Sequence, residues 1–186
     1  MSPPSRSDQY KYRKSWGPST RLSATNRIRA IITDSDGLNA TSEAVAEEMM
    51  ALFEAEACSI SLLDESGYRD IVNLGRFAPG DKRFPDPDFR YPVRDFPLST
   101  ELLLKGTGYI SANAQSDLYK EYQGMWPQMP AGSFMGVPIV ASGQIGGEVY
   151  LARGAKQPPF SSEDLEVARD LATPYGSALP RLLALE

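Results

Sequence analysis

The feature that most constrains this chain is a closing hairpin. Two strand-like runs, Ser133 to Ala141 and Gln144 to Arg153, are separated only by Ser142-Gly143, and a two-residue loop of this kind joins antiparallel neighbours. A helix signal follows at once: Ser161 stands three residues before Asp164, the spacing of a capping box. The fold therefore has to contain an antiparallel hairpin and a long C-terminal helix.

Upstream, the apolar residues Leu22, Ile28, Ile31 and Ile32 recur at three- and four-residue spacing and predict a short amphipathic helix over 21–32. A second helix is predicted with Asn39, Thr41 or Ser42 as its cap, an apolar stripe of Val45, Met49, Leu52 and Phe53, and an end near Glu56. From Ala57 the period changes to two. Cys58, Ile60 and Leu62 alternate with Ser59 and Ser61, and Asp64-Glu65-Ser66-Gly67 turns the chain into a second strand over 68–77. Residues 78–87 are too rich in Pro, Gly and charge for regular structure, and Pro92 puts the strand over 89–96 at an edge or a bulge.

Pro97-Leu98-Ser99-Thr100 opens a short helix, with Ser99 or Thr100 as cap, Leu102, Leu103 and Leu104 toward the core and Gly106 as terminator. A strand over 109–112, a short helix over 116–123 and a loop over 124–132 complete the order. Helices, a hairpin, strands alternating with short helices, and a closing hairpin with a helix predict an α+β domain whose mostly antiparallel sheet has helices on both faces.

At 186 residues and 41% apolar content the chain suits one domain. Its first 21 residues carry Arg6, Lys11, Arg13, Lys14 and Arg21 against Asp8 alone, so they are net +4 and the remainder of the −5 chain is net −9. Residues 1–18 are expected to be a disordered basic arm and 19–186 a single folded body. An acidic body argues against a nucleic-acid surface on the folded domain. No apolar run is long enough for a membrane span, and the N-terminus lacks a signal-peptide core, so a cytoplasmic protein is expected. With no histidine and the single Cys58, the chain has no imidazole for acid–base work and no thiol pair, and no catalytic or metal-ligand spacing stands out. Neither an enzyme nor a cofactor-bearing protein is expected. Gly143, Gly146 and Gly147 lie in a hairpin and on a strand, so they form no phosphate loop.

The run Ser133-Phe134-Met135-Gly136-Val137-Pro138-Ile139-Val140, with Gln144-Ile145-Gly146-Gly147-Glu148-Val149-Tyr150-Leu151 and Pro159-Phe160-Ser161-Ser162-Glu163-Asp164-Leu165, resembles the signature of a GAF domain. Cys58-Ser59-Ile60-Ser61-Leu62-Leu63-Asp64 is similar to the family's first strand, and Gly106-Thr107-Gly108-Tyr109-Ile110 to its mid-domain helix end and strand. The resemblance spans roughly residues 37–184. It implies a profilin-like central antiparallel sheet of about six strands and a sensory or regulatory role in which a small-molecule effector is bound and the signal passed to a partner or output domain.

The effector is expected among Phe96, Thr100, Tyr109, Asn113, Tyr119, Tyr122, Trp126, Met129 and Phe134, because the segments holding them surround the effector in GAF relatives and aromatics with a few polar groups suit a small ligand. Trp126 and Tyr122 would form the lid. Asp95, Glu101 and Asp117 are further candidates for an amine or a hydrated cation. At the family's cyclic-nucleotide motif Phe160 and Asp164 agree, Arg153 replaces lysine, and Ala152 and Leu165 depart, which counts against a cyclic nucleotide. The lone cysteine likewise counts against methionine sulfoxide reductase chemistry, and its place on the first strand against bilin attachment.

A homodimer through the terminal helices is the natural assembly, with Leu165, Ala168, Ala172, Tyr175, Leu179 and Leu182 as the seam; Pro174, Gly176 and Pro180 weaken it and place a bend near Thr173. The alternative to a sensor is a ligand-free dimerisation or protein-docking module.

Overall fold

The computed structural model describes residues 16–35, 37–63, 70–77, 90–92, 97–112 and 132–185, with 70–77 and 90–92 described as backbone. In chain order the elements are α1 (Pro18–Asp34), α2 (Leu38–Leu52), β1 (Ala57–Leu63), β2 (Asp70–Phe77), β3 (Arg90–Pro92), α3 (Pro97–Lys105), β4 (Tyr109–Ser111), β5 (Phe134–Ala141), β6 (Gln144–Ala152) and α4 (Ser162–Leu183). The strands pair in the order β3-β2-β1-β6-β5-β4, each pair antiparallel. Four of them, β1, β4, β5 and β6, are described to their side chains.

The class is α+β with an antiparallel sheet, as expected, and the closing hairpin turns at Ser142 and Gly143. Both adopt left-handed backbone, φ 51° and 80°, the conformation a two-residue turn requires for its twist to match the strands. Pro92 sits in the edge strand β3, where its missing N–H breaks no ladder.

Alternation sends Cys58, Ile60 and Leu62 of β1, Met135, Val137 and Ile139 of β5, and Val149 and Leu151 of β6 into one core with α1, α2 and α4. Cys58 is an inert part of it: burial pushes its thiol up, away from the reactive thiolate. α3 packs against β5 and β6 on the opposite face, through Ser99 and the patch around Phe134.

The helices differ from expectation in instructive ways. α2 starts at Leu38, with Gly37 as its cap residue, so Thr41 and Ser42 lie inside it and donate back to Gly37 O and Leu38 O, each at 2.6 Å. Ser42 Oγ also meets the Tyr175 hydroxyl of α4 at 2.6 Å, which gives a buried tyrosine its partner. In α1 the apolar face is Ala24, Ile28 and Ile32, while Leu22 is exposed. Of the α3 leucines only Leu102 is fully buried, Leu104 points outward, and Gly106 N–H closes the helix on Leu102 O at 2.8 Å.

α1 and α4 lie side by side and parallel. Trp16 Nε1 donates to Asp164 at their N-terminal ends (2.7 Å), Arg21 pairs with Glu163 (3.1 Å), and Arg181 Nη2 reaches Ile32 O at their C-terminal ends (2.9 Å). Trp16 is 3% exposed and packs on Phe53, so the folded body reaches back beyond residue 19. Composition placed Trp16 in the arm because its partner is 148 residues away.

α4 runs through Pro174 and Pro180 as one helix. Of the expected intermolecular seam, Ala168, Ala172, Tyr175, Leu179 and Leu182 are buried in this chain's own core and Leu165 is half-buried. The periodicity was that of a helix on a sheet, a pattern indistinguishable from a helix–helix seam in the sequence.

Candidate functional site

Two buried polar groups stand out, one at each side of the sheet. Along β6, Glu148, Tyr150 and Ala152 alternate with Val149 and Leu151 and so face α3. Tyr150 and Ala152 join Phe134 of β5 and Ala57 of β1 in a small buried cluster, with Leu98 and Tyr109 packed against it. The Phe134 and Tyr150 rings stack at 5.6 Å between centroids, and Tyr109 meets Phe134 edge-on at 6.2 Å. Gly136 makes room for this row: a Cβ there would lie 2.6 Å from the Tyr109 ring.

One step along β6 from these rings, Glu148 is 2% exposed. Its cross-strand neighbours are Ser61 of β1 and Pro138 of β5. Ser99 Oγ donates to Glu148 Oε1 at 2.9 Å, and among the described residues Oε2 has no hydrogen-bond partner. Among the described residues no ion pair reaches the carboxyl. Burial pushes it up to about 7, against the smaller opposing pull of the Ser99 hydrogen bond.

The second group lies where β6 runs out. Arg153 Nε and Nη2 donate to Phe53 O (3.0 and 2.7 Å) and Nη1 to Pro158 O (3.2 Å), while Nη1 lies 3.7 Å from Asp164 Oδ2. The guanidinium also covers the Phe160 ring at 4.1 Å from its centroid. Asp164 accepts from Trp16 Nε1 through Oδ1, and from Ser161 N–H through Oδ2 (2.8 Å), while its own N–H donates to Ser161 Oγ. The capping box is therefore present as read, with an Arg153–Asp164 ion pair beside it. These residues of the cyclic-nucleotide motif join the end of α2, the end of β6 and the starts of α1 and α4.

Of the expected effector residues, Tyr109 and Phe134 meet in the aromatic row, and Thr100, half-buried, follows Ser99 on α3. Phe96, Asn113, Tyr119, Tyr122, Trp126 and Met129 lie outside the described residues, as do Asp95, Asp117 and the predicted 116–123 helix. Glu101 pairs with Lys105 on the exposed side of α3. Sequence reasoning overlooked Glu148 and Tyr150 and gave Ser99 a capping role. A usable signal existed: Glu148 is the lone charged residue in Gln144–Ala152 and shares the parity of Tyr150. Among the described residues no cluster of His, Cys, Asp or Glu is placed to hold a metal ion, and no helix is long and apolar enough to cross a membrane.

Comparison with known proteins agrees with this architecture. No curated protein sequence matches the chain. Among solved structures, the GAF domain of an Acinetobacter phosphoenolpyruvate-protein phosphotransferase superposes with a TM-score of 0.71 at 16% identity, over 91% of this chain and 98% of that one. Residues 122 to 287 of a methyl-accepting chemotaxis protein give 0.71 at 16% identity, over 86% and 98%. The chromophore-binding domain of a Stigmatella aurantiaca bacteriophytochrome gives 0.69 at 15% identity, over 91% of this chain and 63% of that one. At these identities the likeness is one of fold. The GAF domain sequence family matches residues 37–179, and the chain belongs to that family of sensory and regulatory domains.

Proposed function

We propose that this GAF domain is a cytoplasmic sensor that binds a small-molecule effector on the α3 side of its sheet and relays binding to a partner or an output domain outside this sequence. The observation that carries the reading is the pairing of an aromatic row, Tyr109, Phe134 and Tyr150, with the buried Ser99–Glu148 pair, because a small-ligand site combines apolar walls with a few fixed polar groups. The nine residues read from the sequence remain the proposed lining, with Glu148, Ser99 and Tyr150 added. Regulation is favoured over catalysis because the chain has neither histidine nor a second cysteine. A homodimer through the terminal helices would use their outer faces, where Arg29 of α1 and Glu166, Arg169 and Asp170 of α4 are exposed.

The relay is a shift between two populations, and an effector moves it only by its differential affinity for them. The parallel α1–α4 pair, tied at both ends, is the element best placed to carry that shift.

Thermal-shift screening of purine nucleotides, amino acids and small aromatic metabolites tests the reading. A true effector at a hundredfold excess over its Kd adds about 2.7 kcal/mol of stability. At least one stabiliser is expected, with its effect lost in Trp126→Ala while the ligand-free fold is retained. A screen without any stabiliser would leave the ligand-free docking module in its place.

A further inference from the structure

Glu148 is the least well satisfied of the described buried polar groups on the α3 side of the sheet. A carboxylate taken out of water loses several kcal/mol of solvation unless partners replace it. Asp164 has such partners on both oxygens, whereas Glu148 has one hydroxyl donor on one oxygen. Protonation does not remove the deficit. A neutral acid with Oε1 accepting from Ser99 carries an O–H at Oε2, and that donor then lacks an acceptor. In either state the described residues leave one hydrogen-bonding position on this face open, beside a row of aromatic rings.

The chemistry that fits this position is cationic. A positively charged donor returns Coulombic energy that a neutral N–H does not, and charge-assisted hydrogen bonds are roughly twice as strong as neutral ones. The neighbouring rings of Tyr109, Phe134 and Tyr150 make the surroundings aromatic and apolar, which suits a planar body. An anion near Oε2 would add repulsion in a dry environment.

Building on the sensor reading, we propose that Ser99 and Glu148 form the polar anchor of the effector site, and that the effector is an organic cation: a planar or aromatic body whose ammonium, amidinium or guanidinium group donates to Glu148 Oε2. Ser99 holds the carboxyl in place through Oε1 and leaves Oε2 for the ligand.

Benzamidine, benzamide and benzoate are near-isosteric probes that carry positive, zero and negative charge, and calorimetric titration of each into the full chain above neutral pH reads the preference. Benzamidine is expected to bind at least about tenfold more tightly than benzoate, with benzamide between. In Glu148→Gln the benzamidine-to-benzoate ratio should fall to near one while benzamide still binds. Equal binding of all three to the wild type, or a ratio unchanged in Glu148→Gln, overturns the anchor and leaves the sensor reading intact. Binding of none also overturns it, and the thermal-shift screen then decides the sensor reading separately. The wild-type series stands by itself should Glu148→Gln fail to fold.

Discussion

The two buried carboxyls of this domain are close in kind and opposite in circumstance. Asp164, 5% exposed, receives the Trp16 indole on one oxygen and the Ser161 amide on the other, with a guanidinium 3.7 Å away. Glu148, 2% exposed, receives one hydroxyl. Burial is equally complete, so the difference lies in what the chain supplies in return. Where every acceptor is matched, the carboxyl organises the fold; where one is left over, folding gains little from the charge. That leftover position is what the proposed cationic effector would fill.

The comparison can be broken first at the Asp164 corner. Replacing Arg153 with methionine keeps much of the side-chain volume, yet removes the three hydrogen bonds to Phe53 O and Pro158 O and takes the guanidinium away from beside Asp164. Arg153→Met is expected to cost about 3–5 kcal/mol, read as a lower denaturant midpoint. A near-neutral result would mean that the corner is not structural.

Glu148 should behave in the opposite way. Its carboxyl is held up at about 7 in the folded protein against an ordinary 4.5, so the folded state grips the proton more tightly than the unfolded chain. Its contribution is fully present below pH 4.5, declines as pH rises toward about 7 and stays low above that. Glutamine does not titrate. The stability of Glu148→Gln relative to wild type is therefore expected to rise by about 3 kcal/mol across this window, as measured by denaturation at a series of pH values. A pH-independent loss in the variant would place Glu148 with Asp164 as a structural acid.

A smaller effect sharpens the corner's boundary. Trp16→Phe keeps an aromatic ring against Phe53 and deletes the donor to Asp164, and is expected to cost about 2 kcal/mol in the same assay. An unchanged midpoint would return Trp16 to a dispensable arm.

Much of this was legible in the sequence where the signal is local. Ser142-Gly143 and Ser161 with Asp164 each act within a few residues, and the stripe of Val45, Met49, Leu52 and Phe53 repeats at the helical period, so the hairpin, the cap and α2 could be read directly. What failed was long-range. Trp16 looks like part of a basic tail until Asp164 folds beside it, and Ser99 looks like a cap until Glu148 arrives from 49 residues away. The apolar stripe of α4 states that something covers it and not what. Tyr109 and Phe134 entered the proposed lining through family likeness, whereas Glu148 follows only from strand parity together with its burial.

Glu148 as a cation anchor is tested most directly by its own titration, followed by carbon-detected NMR of its carboxyl in the free protein and again with benzamidine. A midpoint near 7 is expected in the free protein, and it should fall when benzamidine binds because a cation at Oε2 stabilises the carboxylate. A midpoint at the ordinary 4.5, or one that benzamidine leaves in place, would contradict it.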